Sequence, residues 1–131
     1  PFRAGIAAGT GMVMVSSARY PKLDDANPAM FSRAIVTDLL RTSLGFDGVI
    51  VTDDVGAAKA VAAIPVPDRA VRFLAAGGDL VLTASAAQVP SMIAAIKARA
   101  ANDPTFAADI EQSVRRVLAL KTRFGLLRCG G

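Results

Sequence analysis

Apolar residues along this chain form short continuous runs that alternate with longer stretches of helical periodicity. Three runs predict strands at residues 11–16, 48–52 and 79–83, which end at Ser16, Thr52 and Thr83. The middle run, Val49 to Val51, contains no polar position, as is typical of a strand buried on both faces of a parallel sheet. Because the strand ends lie roughly 30 to 37 residues apart, the pattern indicates repeated βα units.

The stretches between the strands predict helices, whose limits are marked by capping residues. Asn27 and Pro28 predict the start of the first helix, as its N-cap and first residue, and Gly45 predicts its end. Further helical segments are predicted at residues 57–63, 68–76, 87–100 and 106–124, the last ending at Gly125. No low-complexity linker interrupts this series, so we expect one α/β domain.

The predicted sheet is incomplete by itself. Three parallel strands with helices on one face leave apolar side chains of the other face in water, so something must cover that face. A closed βα barrel takes about 250 residues, whereas this chain has 131. An open doubly wound sheet would carry helices on both faces.

Composition narrows the class of protein. With 53% hydrophobic and 20% charged residues the chain is globular, and none of its apolar runs approaches the length that a membrane span needs. The net charge is +4, but basic residues are scattered, with only Arg115 and Arg116 adjacent, so no nucleic-acid partner is expected. The single Cys129 cannot form an internal disulfide.

Asp53 is the strongest candidate for chemistry. It directly follows the buried middle strand, and active sites of parallel α/β folds collect at the carboxyl ends of the strands. A carboxylate there suits a nucleophile, although Asp53 and Asp54 would also suit the cap of a following helix. Asp54 is assigned to a supporting role, as a cap or orienting neighbour. Magnesium held by these residues with Asp24 and Asp25 is a weaker alternative, and we predict no metal and no organic cofactor.

The motif around Asp53 has a family resemblance. The residues G-F-D-G-V-I-V-T-D-D at 45–54, with M-V-M-V-S at 12–16, D-D-A-N-P-A at 24–29 and L-L-R at 39–41, resemble glycoside hydrolase family 3. Within that family the match is to the bacterial β-N-acetylglucosaminidase (β-hexosaminidase) branch. The resemblance implies that residues 1–127 are the C-terminal part of a (β/α)8 barrel, about strands six to eight, and that residues 128–131 are a tail.

The resemblance also implies an activity. It makes Asp53 the nucleophile of a retaining hydrolase that releases terminal β-linked N-acetylglucosamine, from cell-wall fragments or related glycosides, through a glycosyl-aspartate intermediate. In that branch the proton donor is a His with an Asp partner on an earlier loop, and a Lys-His-Phe-Pro-Gly-His stretch helps to bind the sugar. This chain contains no His. We therefore expect both features to come from the N-terminal half of the barrel, on the same precursor or a companion chain, and this chain alone to be inactive.

Polar residues that follow the first strand are candidates for substrate binding. Ser16 and Ser17 end the strand, and Arg19 and Tyr20 come directly after them. Many relatives have a His at the position of Ser17, so this chain departs from the family there. Weaker candidates are Thr83 and Ser85 at the third strand, and a structural role is expected for Arg41.

Two alternatives to this activity remain at the level of sequence. A β-glucosidase or a glycoside phosphorylase would keep the fold and change the sugar or the acceptor. A non-catalytic half-barrel would bind or regulate a partner through its uncovered sheet face. The resemblance favours a bacterial protein of the cell envelope or exterior over a cytoplasmic one.

Overall fold

The computed structural model describes residues 1–127, so the predicted tail, with Cys129, lies outside the described residues. The elements follow in the order α1 (Phe2–Ala7), β1 (Met12–Val15), β2 (Arg19–Tyr20), β3 (Asp24–Pro28), a 3₁₀ turn (Ala29–Phe31), a π-helix (Ala34–Ser43), β4 (Val49–Asp54), a second 3₁₀ turn (Lys59–Val61), α2 (Val66–Ala75), β5 (Leu80–Leu82), a third 3₁₀ turn (Ala86–Gln88), α3 (Val89–Asn102) and α4 (Pro104–Arg123).

The predicted sheet of three parallel strands is confirmed. Its order is β1-β4-β5, with β4 in the centre and parallel to both neighbours. The pairing of β1 with β4 runs from Met12 opposite Val49 to Val15 opposite Thr52. A separate antiparallel hairpin of β2 and β3 follows β1. All three main strands therefore present their carboxyl ends at the same edge.

The two faces of this sheet differ. Val13, Val15 and Ile50 pack into the core with side chains from the helices, among them Val36, Leu40, Phe73, Leu74, Met92 and Phe106. Paired residues of neighbouring strands share a face, so Met12 and Met14 stand on the opposite side. Met14 is 60% exposed there, and on β5 Leu82 is 47% exposed. Within residues 1–127 this second face is covered only in part, because Val49 and Val51 of the central strand share it and are 1% and 7% exposed.

The predicted start of the first long helix is wrong. Asn27 and Pro28 belong to strand β3, where Pro28 lies opposite Arg19, and the helix begins only at Ala34. The cause is Asp24, whose carboxylate accepts hydrogen bonds from the backbone N–H of Ala26 and of Asn27, at 3.0 Å each, and so holds a turn.

The helix start and the predicted stops are then set by local residues. Ser32 Oγ accepts from the backbone N–H of Ile35 at 3.2 Å, next to the start of the π-helix. Gly45 and Gly125 adopt φ of 68° and 66°, which confirms both as left-handed helix stops. The segment predicted as helical at residues 57–63 forms only the short 3₁₀ turn Lys59–Val61.

A buried ionic cluster closes the amino edge of the sheet. Asp79, immediately before β5, accepts from the backbone N–H of Ile50 at 2.7 Å and from Arg116 at 3.0 Å, and pairs with Arg41. Arg41 also donates to the carbonyl oxygen of Gly48. Burial lowers the pKa of the Arg41 guanidinium, and Asp79 counteracts that effect. Arg41 therefore has the structural role that the sequence predicts.

Candidate active site

Strand β4 carries Asp53 to the carboxyl edge of the sheet. Val49, Ile50, Val51 and Thr52 are buried, whereas Asp53 is exposed. Thr52 is held inside because its Oγ1 accepts from the backbone N–H of Leu82 at 2.8 Å. The register slips beyond this point, since Val51 pairs with Leu80 but Asp54 pairs with Leu82. A bulge of this kind bends the strand and increases its twist close to Asp53.

The carboxylate of Asp53 is held on one side only. Its Oδ1 accepts a hydrogen bond of 2.7 Å from the backbone N–H of Asp54. Within residues 1–127, Oδ2 accepts no hydrogen bond, and the residue caps no helix. An exposed carboxylate with one fixed and one free oxygen has the form that nucleophilic attack requires.

Asp54 is the member of the pair that holds a turn. Its Oδ1 accepts from the backbone N–H of Gly56 at 2.8 Å and of Ala57 at 3.3 Å, so it closes the turn that follows β4. The supporting role predicted for Asp54 agrees with this geometry. The alternative in which both aspartates act as caps is excluded for Asp53.

Ser16 lies beside Asp53 at the neighbouring strand tip. The last ladder pair is Val15 with Thr52, so the next step along both strands brings Ser16 and Asp53 together. Ser16 Oγ accepts from the backbone N–H of Ala18 at 3.3 Å and so helps to end the strand. Ser16 and Ser17 are both half-buried.

The other two predicted binding residues begin the β2–β3 hairpin. Arg19 braces this hairpin, since its guanidinium donates to the carbonyl oxygens of Asp25 at 3.2 Å and Ala26 at 3.0 Å. Tyr20 is exposed, and it lines an apolar cavity of about 330 Å³ together with Ser16 and Leu23. Substrate contact by Ser16, Ser17, Arg19 and Tyr20 stays a prediction.

The carboxylates do not form a metal cluster. Hydrogen bonds from the side chains of Ser32 and Asn27 lower the pKa of Asp24, whose carboxylate serves its own turn. Over residues 1–127, no group of three or more acidic, His or Cys side chains is arranged to hold a metal ion. The magnesium alternative built on Asp24, Asp25, Asp53 and Asp54 thus has no geometric support. Nor does any helix in that range have the length and hydropathy to cross a bilayer.

Arg69 of α2 is a buried residue that the sequence reasoning missed. Its guanidinium donates to carbonyl oxygens in the loop after β4, those of Val55, Gly56, Ala62 and Ile64. One sequence signal could have indicated that Arg69 is buried: it lies four residues before Phe73, on the buried face of an amphipathic helix.

The chain is similar to known proteins in sequence and in fold. Residues 1–120 match the family model described as the glycosyl hydrolase family 3 N terminal domain. A beta-hexosaminidase of Stenotrophomonas maltophilia is 40% identical over 102 residues, which are 78% of this chain and 30% of that protein.

Two solved structures are also similar. The beta-N-acetylhexosaminidase of Beutenbergia cavernae is 50% identical with a TM-score of 0.89, over 92% of this chain and 36% of that one. A family 3 beta-N-acetylglucosaminidase of Paenibacillus is 29% identical with a TM-score of 0.85, over 99% and 25%.

This chain spans about a third of the length of the first relatives it matches. Its parallel α/β fold is that of the family's N-terminal TIM-barrel domain. On the strength of the family model and of these relatives, the chain belongs to glycosyl hydrolase family 3.

Proposed function

We propose that this chain is the nucleophile-bearing segment of a retaining glycosidase that releases terminal β-linked N-acetylglucosamine. The observation that carries the proposal is the state of Asp53. It is exposed at the carboxyl end of a central parallel strand, with Oδ1 fixed by a backbone N–H and Oδ2 free. Asp54 serves the adjacent turn, which leaves Asp53 available for substrate.

The sheet supplies strands six to eight of a (β/α)8 barrel, and a complementary segment supplies the rest. The exposed apolar residues Met12, Met14, Leu80 and Leu82 are the inward-facing side chains of such a barrel. The outer edges of β1 and β5 pair with no strand in residues 1–127, and both can accept further parallel strands. The complementary segment belongs to the same precursor or to a companion chain.

The chemistry follows from one free carboxylate oxygen. Oδ2 of Asp53 forms a bond to the anomeric carbon while the bond from that carbon to the leaving oxygen breaks, and a general acid of the complementary segment gives that oxygen a proton. Water then attacks the same carbon and gives its proton to the conjugate base of that general acid, while the bond from the carbon to Oδ2 breaks and restores the Asp53 carboxylate. Two inversions give net retention.

The substrate class rests on the relatives. The Stenotrophomonas protein is named a beta-hexosaminidase and the Paenibacillus protein a beta-N-acetylglucosaminidase. Both names support an N-acetylated hexose as the sugar. Cell-wall fragments outside the cytoplasm are the corresponding natural source.

The test uses the complete barrel, with this chain and its complementary segment. We expect hydrolysis of nitrophenyl N-acetylglucosaminide to exceed that of nitrophenyl glucoside, and Asp53→Ala to lower kcat by about 10³-fold or more. A fluorinated N-acetylglucosaminide that arrests deglycosylation should add its sugar mass to the peptide that contains Asp53.

The outcomes separate the alternatives. Preference for the glucoside indicates a β-glucosidase, and formation of sugar phosphate in phosphate buffer indicates a phosphorylase. A folded barrel whose biological effect survives Asp53→Ala would instead be a non-catalytic module, and the hydrolase proposal would be wrong.

A further inference from the structure

We propose that Arg69 is the positioning residue of the nucleophile, acting through two peptide groups and Asp54 on the carboxylate of Asp53. This inference rests on the proposed function, because it assigns Asp53 the role of nucleophile. It concerns a buried residue of helix α2 whose guanidinium bonds carbonyl oxygens of the loop after β4.

The environment of Arg69 is unusual for a charged side chain. The residue is only 6% exposed, and within residues 1–127 it forms no ion pair. Its charge is solvated instead by four carbonyl oxygens, including those of Ile64 at 2.7 Å and Gly56 at 3.3 Å. A planar guanidinium with donors in a fixed fork can hold several carbonyls at once, which a lysine ammonium cannot do in the same geometry.

Two of these carbonyls belong to peptide groups that Asp54 holds from the other side. The peptide joining Val55 to Gly56 has its carbonyl on Arg69 and its N–H on Asp54 Oδ1, at 2.8 Å. The next peptide repeats the pattern, since the Gly56 carbonyl contacts Arg69 and the Ala57 N–H contacts Asp54 Oδ1. A planar trans peptide points its two polar groups in opposite directions, so the two charges hold both peptides in one orientation.

The last link reaches Asp53. The backbone N–H of Asp54 donates to Asp53 Oδ1 at 2.7 Å, so fixing Asp54 fixes the carboxylate oxygen that does not react. Gly56 completes the assembly, because a Cβ at this position would lie 2.8 Å from Thr83 Oγ1 and would overlap Gln88. The backbone of the turn after β4 therefore has little freedom to move, and Arg69 is the buried positive charge that bonds its carbonyl oxygens.

Loss of the guanidinium frees these peptides to rotate and lets the Asp53 carboxylate turn. A small displacement of a nucleophile slows bond formation without weakening sugar binding, which depends on other residues. In the complete barrel we expect Arg69→Gln to lower kcat by about 10²-fold while KM changes less than about threefold. Arg69→Lys should fall between the wild type and Arg69→Gln.

Two further measurements distinguish positioning from mere stability. Hydrogen exchange of the peptide that contains residues 53–58 should accelerate in both Arg69 variants under conditions where the barrel stays folded. Arg116→Gln is the matched control, because Arg116 is also an arginine that bonds a buried group, but at the opposite sheet edge. It should lower the melting temperature and leave kcat within about twofold.

The outcomes are separable. If Asp53→Ala abolishes turnover while both Arg69 variants keep wild-type kcat, the positioning role is overturned and the proposed function stands. If Asp53→Ala retains turnover, both are overturned. Should Arg69→Gln fail to fold, Arg69→Lys decides alone, because it keeps the buried charge; unchanged kcat and exchange in that variant overturn the proposal.

Discussion

The two edges of the parallel sheet use aspartate in opposite ways. At the amino edge, Asp79 is buried and both of its oxygens accept hydrogen bonds, from the Ile50 N–H, Arg41 and Arg116. At the carboxyl edge, Asp53 is exposed and accepts one backbone hydrogen bond. The comparison teaches that the donors around a carboxylate, rather than its place next to a strand, decide whether it is fixed within the fold or left accessible.

Asp53→Ala should have the largest effect of the substitutions considered, and that effect should be on turnover. Turnover in the complete barrel is expected to fall by about 10³-fold or more, whereas the free energy of unfolding should change by less than about 0.5 kcal/mol, because the side chain is exposed. Parallel assays of turnover and of thermal unfolding measure both. A large loss of stability with this substitution would mean that Asp53 is structural as well.

Asp79→Ala should produce the opposite result. Its removal leaves Arg41 and Arg116 without their partner and the Ile50 N–H without an acceptor, so we expect a loss of about 3–5 kcal/mol in the free energy of unfolding. Denaturant titration of the complete protein measures this loss. Asp109→Ala, at an exposed position of α4, is the matched control and should have little effect. A neutral Asp79→Ala would contradict the structural role of the cluster.

Gly56→Ala sharpens the comparison at the carboxyl edge. The added methyl would lie 2.8 Å from Thr83 Oγ1 and overlap the end of the Gln88 side chain, so we expect a loss of about 1–3 kcal/mol in stability together with lower turnover. Gln88→Ala should restore part of both in the double variant, because it empties the space that the methyl needs. A double-mutant cycle measures the interaction free energy between the two substitutions. If their effects on stability and turnover simply add, the prediction is wrong.

The smallest expected effect concerns Asp103, the N-cap of α4. A hydrogen bond from the Phe106 N–H, followed by one from Arg99, lowers the pKa of this carboxyl below its ordinary value of 3.8. A lowered pKa in the folded state contributes stability above the ordinary value, and this contribution is lost as pH falls through the lowered one. Asp103→Asn keeps a capping side chain, so the decline of melting temperature on acidification should become slightly shallower. An unchanged acid profile would contradict this linkage.

Local signals predicted the parts of the fold that local physics determines. The Val49 to Val51 run predicted β4 because a buried parallel strand has no polar position, and Gly45 and Gly125 predicted helix ends because few other residues adopt positive φ. The place of Asp53 at the tip of this strand was predictable for the same reason, whereas its assignment as candidate nucleophile came from the family resemblance.

Other features depended on partners distant in the sequence or on competing local bonds. The sequence predicts Asn27 as a helix cap. In the structure its backbone N–H donates to the Asp24 carboxylate, and Asn27 lies in strand β3. Arg69 lies on the face of α2 that the pattern predicts as buried, but its bonding partners appear only once Val55, 14 residues away, folds against it. Asp79 likewise needs Ile50, 29 residues away, to become a structural anion.

The outer edges of β1 and β5, which pair with no strand within residues 1–127, have a consequence for biosynthesis. Before the chain is fully assembled, it exposes unpaired strand edges next to apolar side chains such as Met14 and Leu82. Such edges can pair with the same edges of other copies, which leads to aggregation. Under the proposed barrel, the complementary segment would pair with both edges and so also protect these strands from self-association during maturation. Yield of native enzyme should then depend on how quickly the two portions meet after synthesis.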